Sequence, residues 1–104
     1  MKGENIVLFS RKIPKGTVET IPMKYIRIPP VFAGSYPSYD KIIKYKKLYQ
    51  KKGYIDKPLT VVPETNEKGH PNRFVLVDGY IRYLLLEQFS EEFAPVKYQF
   101  EYIV

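Results

Sequence analysis

The hydrophobic positions of this chain change period within one stretch, Phe74 to Gln88, read as FVLVDGYIRYLLLEQ. Four consecutive apolar residues, Phe74 to Val77, suit a strand buried on both faces. Asp78-Gly79 follows, and then Ile81, Leu84, Leu85 and Gln88/Phe89 recur at three- and four-residue steps. That spacing places one apolar face on a helix, predicted over Tyr80 to Glu92. The stretch reads as strand, tight turn, helix. Gly79 lets the backbone turn sharply and lets a ligand come close to it. Asp78 is open to two roles, a cap for the free helix N–H groups, which is the simpler one, or a metal-binding carboxylate. A helix start of this kind binds anions. Arg82 lies in its first turn, where the helix dipole disfavours a cation by about 0.3–1 kcal/mol, and a bound phosphate would reverse that penalty.

The same patterning organises the rest of the chain. Asn5 to Ser10 reads as a first short strand, and Arg11 to Thr17, with Pro14 and Gly16, as a turn. Val18 to Ile28 reads as a partly buried strand and its approach, with Pro22 at an edge or a strand start because it lacks an N–H. Pro29 to Pro37 holds too many prolines for regular structure and is expected to be an ordered loop. Ser38 then caps a helix predicted over Tyr39 to Lys52, with Asp40 in its first turn and Gly53 closing it. Its apolar face is Ile42, Tyr45, Leu48 and Tyr49, and beside that face Lys41, Lys44, Lys47 and Lys51 follow one another at steps of three, three and four. Leu59 to Val62 and Phe74 to Val77 read as neighbouring strands, joined by a polar hairpin-like loop over Pro63 to Arg73. Phe93-Ala94-Pro95 is expected to turn the chain. From Val96 to Val104 a clear period of two predicts a strand with Val96, Tyr98, Phe100, Tyr102 and Val104 on its buried face, alternating with Lys97, Gln99, Glu101 and Ile103. The expected fold class is a small α/β (or α+β) domain, a mixed sheet packed by two main helices.

Composition narrows the chemistry. With 104 residues and 44% hydrophobic content, one compact core is expected, 1–104 as a single domain with 1–17 peripheral and 18–104 as its centre. The formal charge of +6 and pI near 9.4 favour acidic partners, nucleic acid or nucleotides ahead of an anionic membrane. No cysteine is present, which removes disulfides, thiolate nucleophiles and zinc-thiolate sites together. The single histidine, His70, lies in a polar loop and is given no role. The apolar run Ile6 to Phe9 is too short for a signal peptide or a membrane span, so a cytoplasmic protein without a membrane partner is expected. Two readings of the lysine stripe stay open, a solvated helix face or an anion-binding wall. No acidic residue after Asp40 balances it within the helix, whereas solvated faces ordinarily mix signs. The tyrosines could stack on bases, although Tyr45, Tyr49, Tyr98 and Tyr102 fall at apolar positions of the periodic patterns and fit packing better.

Several segments together resemble the ParB-like nuclease domain and its relative sulfiredoxin. They are Ile21-Pro22 through Ile26, the proline loop, the helix ending at Gly53, Ile55, Lys57-Pro58-Leu59-Thr60-Val61-Val62, and Leu76-Val77-Asp78-Gly79-Tyr80-Ile81-Arg82-Tyr83. The likeness covers roughly residues 18–104. It implies nucleotide or phosphate binding where the glycine-arginine motif opens a helix, and with it a nucleoside triphosphate with Mg²⁺ as cofactor, DNA as partner, and nuclease or triphosphatase activity. In ParB proteins the motif is Gly-Glu-Arg-Arg. Here Gly79 and Arg82 keep its first and last places, Tyr80 and Ile81 stand between them, and the chain ends before the helix-turn-helix that ParB proteins carry downstream. Sulfiredoxin has Gly-Cys-His-Arg, with a reactive cysteine where Tyr80 stands, so sulfinic acid reduction is excluded. By the sulfiredoxin pattern, Lys41 falls at the position of a lysine on the nucleotide phosphates, and Lys44 at a second phosphate contact. The expected site is therefore Gly79, Tyr80, Arg82, Lys41 and Lys44 on phosphate, Lys47 and Lys51 on nucleic acid, and Asp78 for a metal. The alternative is a non-catalytic DNA-binding or protein-interaction module of a plasmid, phage or mobile element that has kept the fold and lost the nucleotide chemistry.

Overall fold

A computed structural model describes residues 13–65, 68 and 71–99. The predicted strand at residues 5–10, His70 and residues 100–104 lie outside the described residues. The elements run β1 (Glu19–Pro22), a 3₁₀ turn (Met23–Tyr25), β2 (Ile26–Arg27), α1 (Pro30–Ala33), α2 (Tyr39–Lys52), β3 (Leu59–Thr65), β4 (Pro71–Asp78), α3 (Tyr80–Gln88) and β5 (Phe93–Tyr98). The strands form one mixed sheet in the order β1-β5-β3-β4-β2. β1–β5 and β3–β4 are antiparallel, while β5–β3 and β4–β2 are parallel. The fold class is α/β, as the patterning predicts.

This sheet cannot be flat. β1 and β2 are its two edges, four inter-strand steps or about 19 Å apart in a planar sheet. Yet the chain from Pro22 to Ile26 spans at most about 14 Å fully extended, and the intervening 3₁₀ turn rises only about 2 Å per residue. The sheet must therefore roll until its edges approach each other. Met23 N–H, donating to the Glu92 carbonyl at 2.9 Å, fastens this short strap beside the start of β5.

Inside the roll, Leu59 and Val61 of β3, Leu76 of β4, Leu85 and Leu86 of α3, and Ala94 and Val96 of β5 are buried. Helix α2 has the predicted ends. Ser38 Oγ accepts the Lys41 N–H at 3.2 Å, and Gly53 closes the helix with φ of 84°. Of its apolar face only Tyr49 is fully buried.

Five expectations change. A single helical turn, α1, forms within the proline loop, because Pro30 at its first position loses only an N–H that a helix start leaves unpaired in any case. Helix α3 ends at Gln88 rather than Glu92, as Ser90 adopts φ of 57° and redirects the chain. The loop over Pro63 to Arg73 is shorter than expected, because β3 runs on to Thr65 and β4 starts at Pro71. β5 pairs with β3 only at Leu59 to Val61, so the missing N–H of Pro63 falls beyond that ladder. Phe93-Ala94-Pro95 is the first half of β5 and not a turn. Val96 C=O accepts from Val18 N–H at 2.8 Å and so points toward β1. The groups of Pro95 point the other way, where pairing with β3 begins only at Val96, so no ladder bond is lost. Finally, Leu76 alone of Phe74 to Val77 is fully buried, since a chain this small has too few covering elements to bury both faces of a strand.

Candidate functional site

The turn before α3 forms because Gly79 takes φ of 103°. A Cβ there would lie 3.1 Å from Leu59 Cδ2 and 3.5 Å from Leu59 Cα, so the position combines a left-handed backbone with close packing. Gly79 itself is the N-cap residue, and no side chain caps the helix. Asp78 therefore does not have the capping role expected of it. Its carboxylate stands on β4, where the residue pairs with Thr60 of β3. The first helical bond runs from Tyr83 N–H to Gly79 C=O at 2.9 Å, which leaves the preceding N–H groups without helical partners. The first turn contains no acidic residue.

Arg82 has a partner within the chain. Its Nε donates to Asp56 Oδ1 at 2.7 Å and its Nη2 to Asp56 Oδ2 at 3.3 Å, with both side chains mostly buried. The Asp56 carboxylate thus supplies the negative charge that the helix dipole requires beside Arg82, the role first assigned to a phosphate. The hydrogen bonds from Arg82 hold the Asp56 carboxyl below its ordinary pKa, against the opposing effect of burial. The same bonds hold the Arg82 guanidinium above its own. On its other side, the guanidinium lies 4.9 Å from the centre of the Tyr45 ring.

Arg82 and Asp56 open on a half-enclosed hollow of about 470 Å³, lined also by Lys15, Lys57, Lys97 and Asp78. Three stretches of chain deliver these cations. Lys15 sits in the turn made by Gly16 (φ of 95°), braced by the Thr17 hydroxyl donating to Pro14 C=O at 2.6 Å. Lys57 directly precedes the buried Pro58 and Leu59 at the start of β3. Lys97 of β5 pairs with Thr60, which pairs in turn with Asp78, so the three residues form one row across the sheet. Four cations face two carboxylates in this hollow. A second hollow of similar volume, bordered by Tyr49, Glu91 and Glu92, has no basic lining residue and offers an anion nothing.

The lysine stripe occupies a different place. Lys41, Lys44, Lys47 and Lys51 are exposed on α2, and the last three border a shallow groove floored by Ile43 and Leu48. None of the four lines the Arg82 hollow. Lys44 Nζ lies 5.8 Å from the centre of the Tyr45 ring, the ring on which Arg82 also rests, so Tyr45 stands between stripe and hollow. Tyr80 belongs to a stack, 5.3 Å from Phe32 and 6.5 Å from Tyr83 between ring centres. Asp56, Lys15, Lys57 and Lys97 were not among the residues expected from sequence. Lys97 announced itself only as a polar position of an alternating strand, and the row Lys97-Thr60-Asp78 exists only through pairing. Among the described residues no group of three or more acidic or histidine side chains could hold a metal ion, and no helix is long and apolar enough to cross a membrane.

No protein-family model matches this chain, and no curated protein matches its sequence. Solved structures do match. Truncated ParB from Caulobacter crescentus, complexed with CTP-γ-S, superposes with a TM-score of 0.59 over 78% of this chain at 14% identity. Sulfiredoxin from Arabidopsis thaliana superposes with a TM-score of 0.61, also over 78% of this chain, at 16% identity. The fold is ParB/sulfiredoxin-like. A free serine kinase in complex with AMP shares it too, with a TM-score of 0.60 over 85% of this chain at 15% identity. The match spans 82% of the sulfiredoxin chain but only 43% of the ParB chain and 36% of the kinase chain. Within the ParB/sulfiredoxin-like fold, solved neighbours thus hold CTP-γ-S and AMP.

Proposed function

We propose that this protein binds the phosphates of a nucleotide at the Gly79–Arg82 helix start, in the hollow where Arg82 meets Lys15, Lys57 and Lys97. The observation that carries this reading is the convergence of those four cations beside an uncapped helix start. Exposed lysines supply mobile point charges to phosphate oxygens, and the guanidinium, held by Asp56, offers its remaining N–H donors in a fixed direction. Lys41 and Lys44, which the resemblance places on phosphate, lie outside the hollow and belong to the outer part of the site at most. Tyr80, expected on phosphate, does not line the hollow and stacks instead on Phe32 and Tyr83. Mg²⁺ fits only together with the ligand, because it takes one or two carboxylates plus phosphate oxygens. Asp78 is the carboxylate available for that, since Asp56 is engaged by Arg82.

The test is thermal unfolding with CTP, ATP, ADP and AMP, with and without Mg²⁺. A nucleotide at a hundred times its Kd adds about 2.7 kcal/mol, a rise in Tm on the order of 10 °C for a chain of this size. Lys57→Ala and Lys97→Ala, both at exposed positions, should remove that rise without unfolding the protein. An unchanged rise in both variants overturns the reading. Arg82→Ala alone does not decide it, because that variant also leaves Asp56 without its partner.

A further inference from the structure

We propose that a second surface, from the loop before α2 along the lysine side of that helix, binds single-stranded nucleic acid. Its first component is aromatic. Phe32 of α1 and Tyr80 of α3 lie stacked with rings inclined by 24°, and Tyr83 continues the series at 13° to Tyr80. Only four and seven residues after Phe32, Tyr36 is 94% exposed and Tyr39 75% exposed. Rings left this open add nothing to the core. Close together in the sequence between α1 and α2, they suit a partner that presents flat apolar faces.

The second component is charge. α2 begins at Tyr39 and carries Lys41, Lys44, Lys47 and Lys51 along about 15 Å of its length. Asp40 is the only acidic residue of the helix, and none of the four lysines forms an ion pair among the described residues. The two components meet at the first turn of α3. Tyr80 of the stack and Arg82 lie two residues apart there, and Arg82 rests on Tyr45, the ring that Lys44 also approaches. Apart from Arg82, none of these residues lines the nucleotide hollow, so this surface is distinct from it.

Lysines alone would suit a duplex equally well. The exposed rings decide for a single strand, because in a duplex the base faces are stacked on one another and closed to a protein ring, whereas a single strand offers them. A stripe of one sign matches the regularly repeated charge of a phosphate backbone.

The experiment is fluorescence anisotropy with labelled oligothymidylate, oligouridylate and a duplex of the same length, over a range of salt. One or both single strands should bind at least about tenfold tighter than the duplex, and comparing the two separates DNA from RNA as the source. The double variant Tyr36→Ala/Tyr39→Ala should weaken single-strand binding about tenfold or more with an unchanged salt slope. Lys47→Ala/Lys51→Ala should instead reduce that slope by roughly 1.4, about 0.7 for each phosphate that a lysine no longer neutralises. All four positions are solvent-facing, and an unchanged Tm shows that the variants are folded. Binding to the duplex as tight as to either strand, no binding to any of the three, or an unaffected tyrosine variant overturns the proposal.

Discussion

Gly53 and Gly79 have nearly the same left-handed backbone, with φ of 84° and 103°, but different surroundings. An added Cβ at Gly53 meets nothing within 4 Å, whereas at Gly79 it meets Leu59 side chain and backbone. Gly53→Ala should therefore cost only the conformational term, about 1–2 kcal/mol. Gly79→Ala should cost about 1–3 kcal/mol more, because the neighbouring Leu59 is fully buried and cannot give way easily. Urea unfolding of both variants checks this, and equal losses would contradict the packing argument. Both glycines were legible from sequence, since each follows or precedes a periodic run. The partner of Arg82 was not, because Asp56 lies far from it along the chain and only the fold brings them together. That pair makes an acid-side prediction. The carboxyl of Asp56 has a lowered pKa in the folded chain, set first by its hydrogen bonds from Arg82. Its contribution is fully present above the ordinary carboxyl value of 3.8 and is lost as pH falls below it. Asp56→Asn should lower stability at neutral pH by about 1.5–3 kcal/mol and flatten the acid limb of the stability profile. It should also strengthen nucleotide binding, by freeing the guanidinium.

At the scale of elements, α2 was readable to the residue because both of its ends are marked by local chemistry. Ser38→Ala should cost about 1 kcal/mol through the lost cap, measurable by urea midpoint. β5 was readable in type but not in its start, since the tolerance for Pro95 depends on where two other strands begin to pair. The end of α3 was missed for a comparable reason, as nothing local signals the reversal at Ser90. Just beyond it, Tyr49 of α2 donates its hydroxyl to Glu91, and its ring stacks on Phe89 at 4.7 Å between centres. This ties α2 to the chain leaving α3. Burial first, then the bond to Glu91, pushes the Tyr49 pKa from 10.0 up to about 12. Tyr98, half-buried and donating to Glu19, is likewise pushed up to about 12. A raised pKa means that the stabilisation is intact below pH 10 and is lost between about 10 and 12. Tyr49→Phe should make the alkaline limb shallower in a pH-dependent melting series, while an identical alkaline limb would remove the link between this clamp and stability.

For the molecule as a whole, sequence patterning supplied the mixed α/β class, but neither the strand order nor the division of the basic residues into two places. The net excess of +6 and the lysine stripe were legible from sequence, whereas the second basic place, the hollow of Lys15, Lys57, Lys97 and Arg82, arises only from the fold. The strap from Pro22 to Ile26 has a further consequence, for the order of assembly. β3 and β4 are close in sequence and can pair early, but β1 must find β5, which lies near the other end of the described chain. Because the strap is shorter than the flat sheet is wide, it acts like a hoop drawn around staves. On this picture the two edges settle together and open together. Lengthening it with three flexible residues after Lys24 should slow closure and raise amide hydrogen exchange at Val18 on one edge and in β2 on the other by similar factors. Exchange confined to one edge would show that the hoop does not bind the two together.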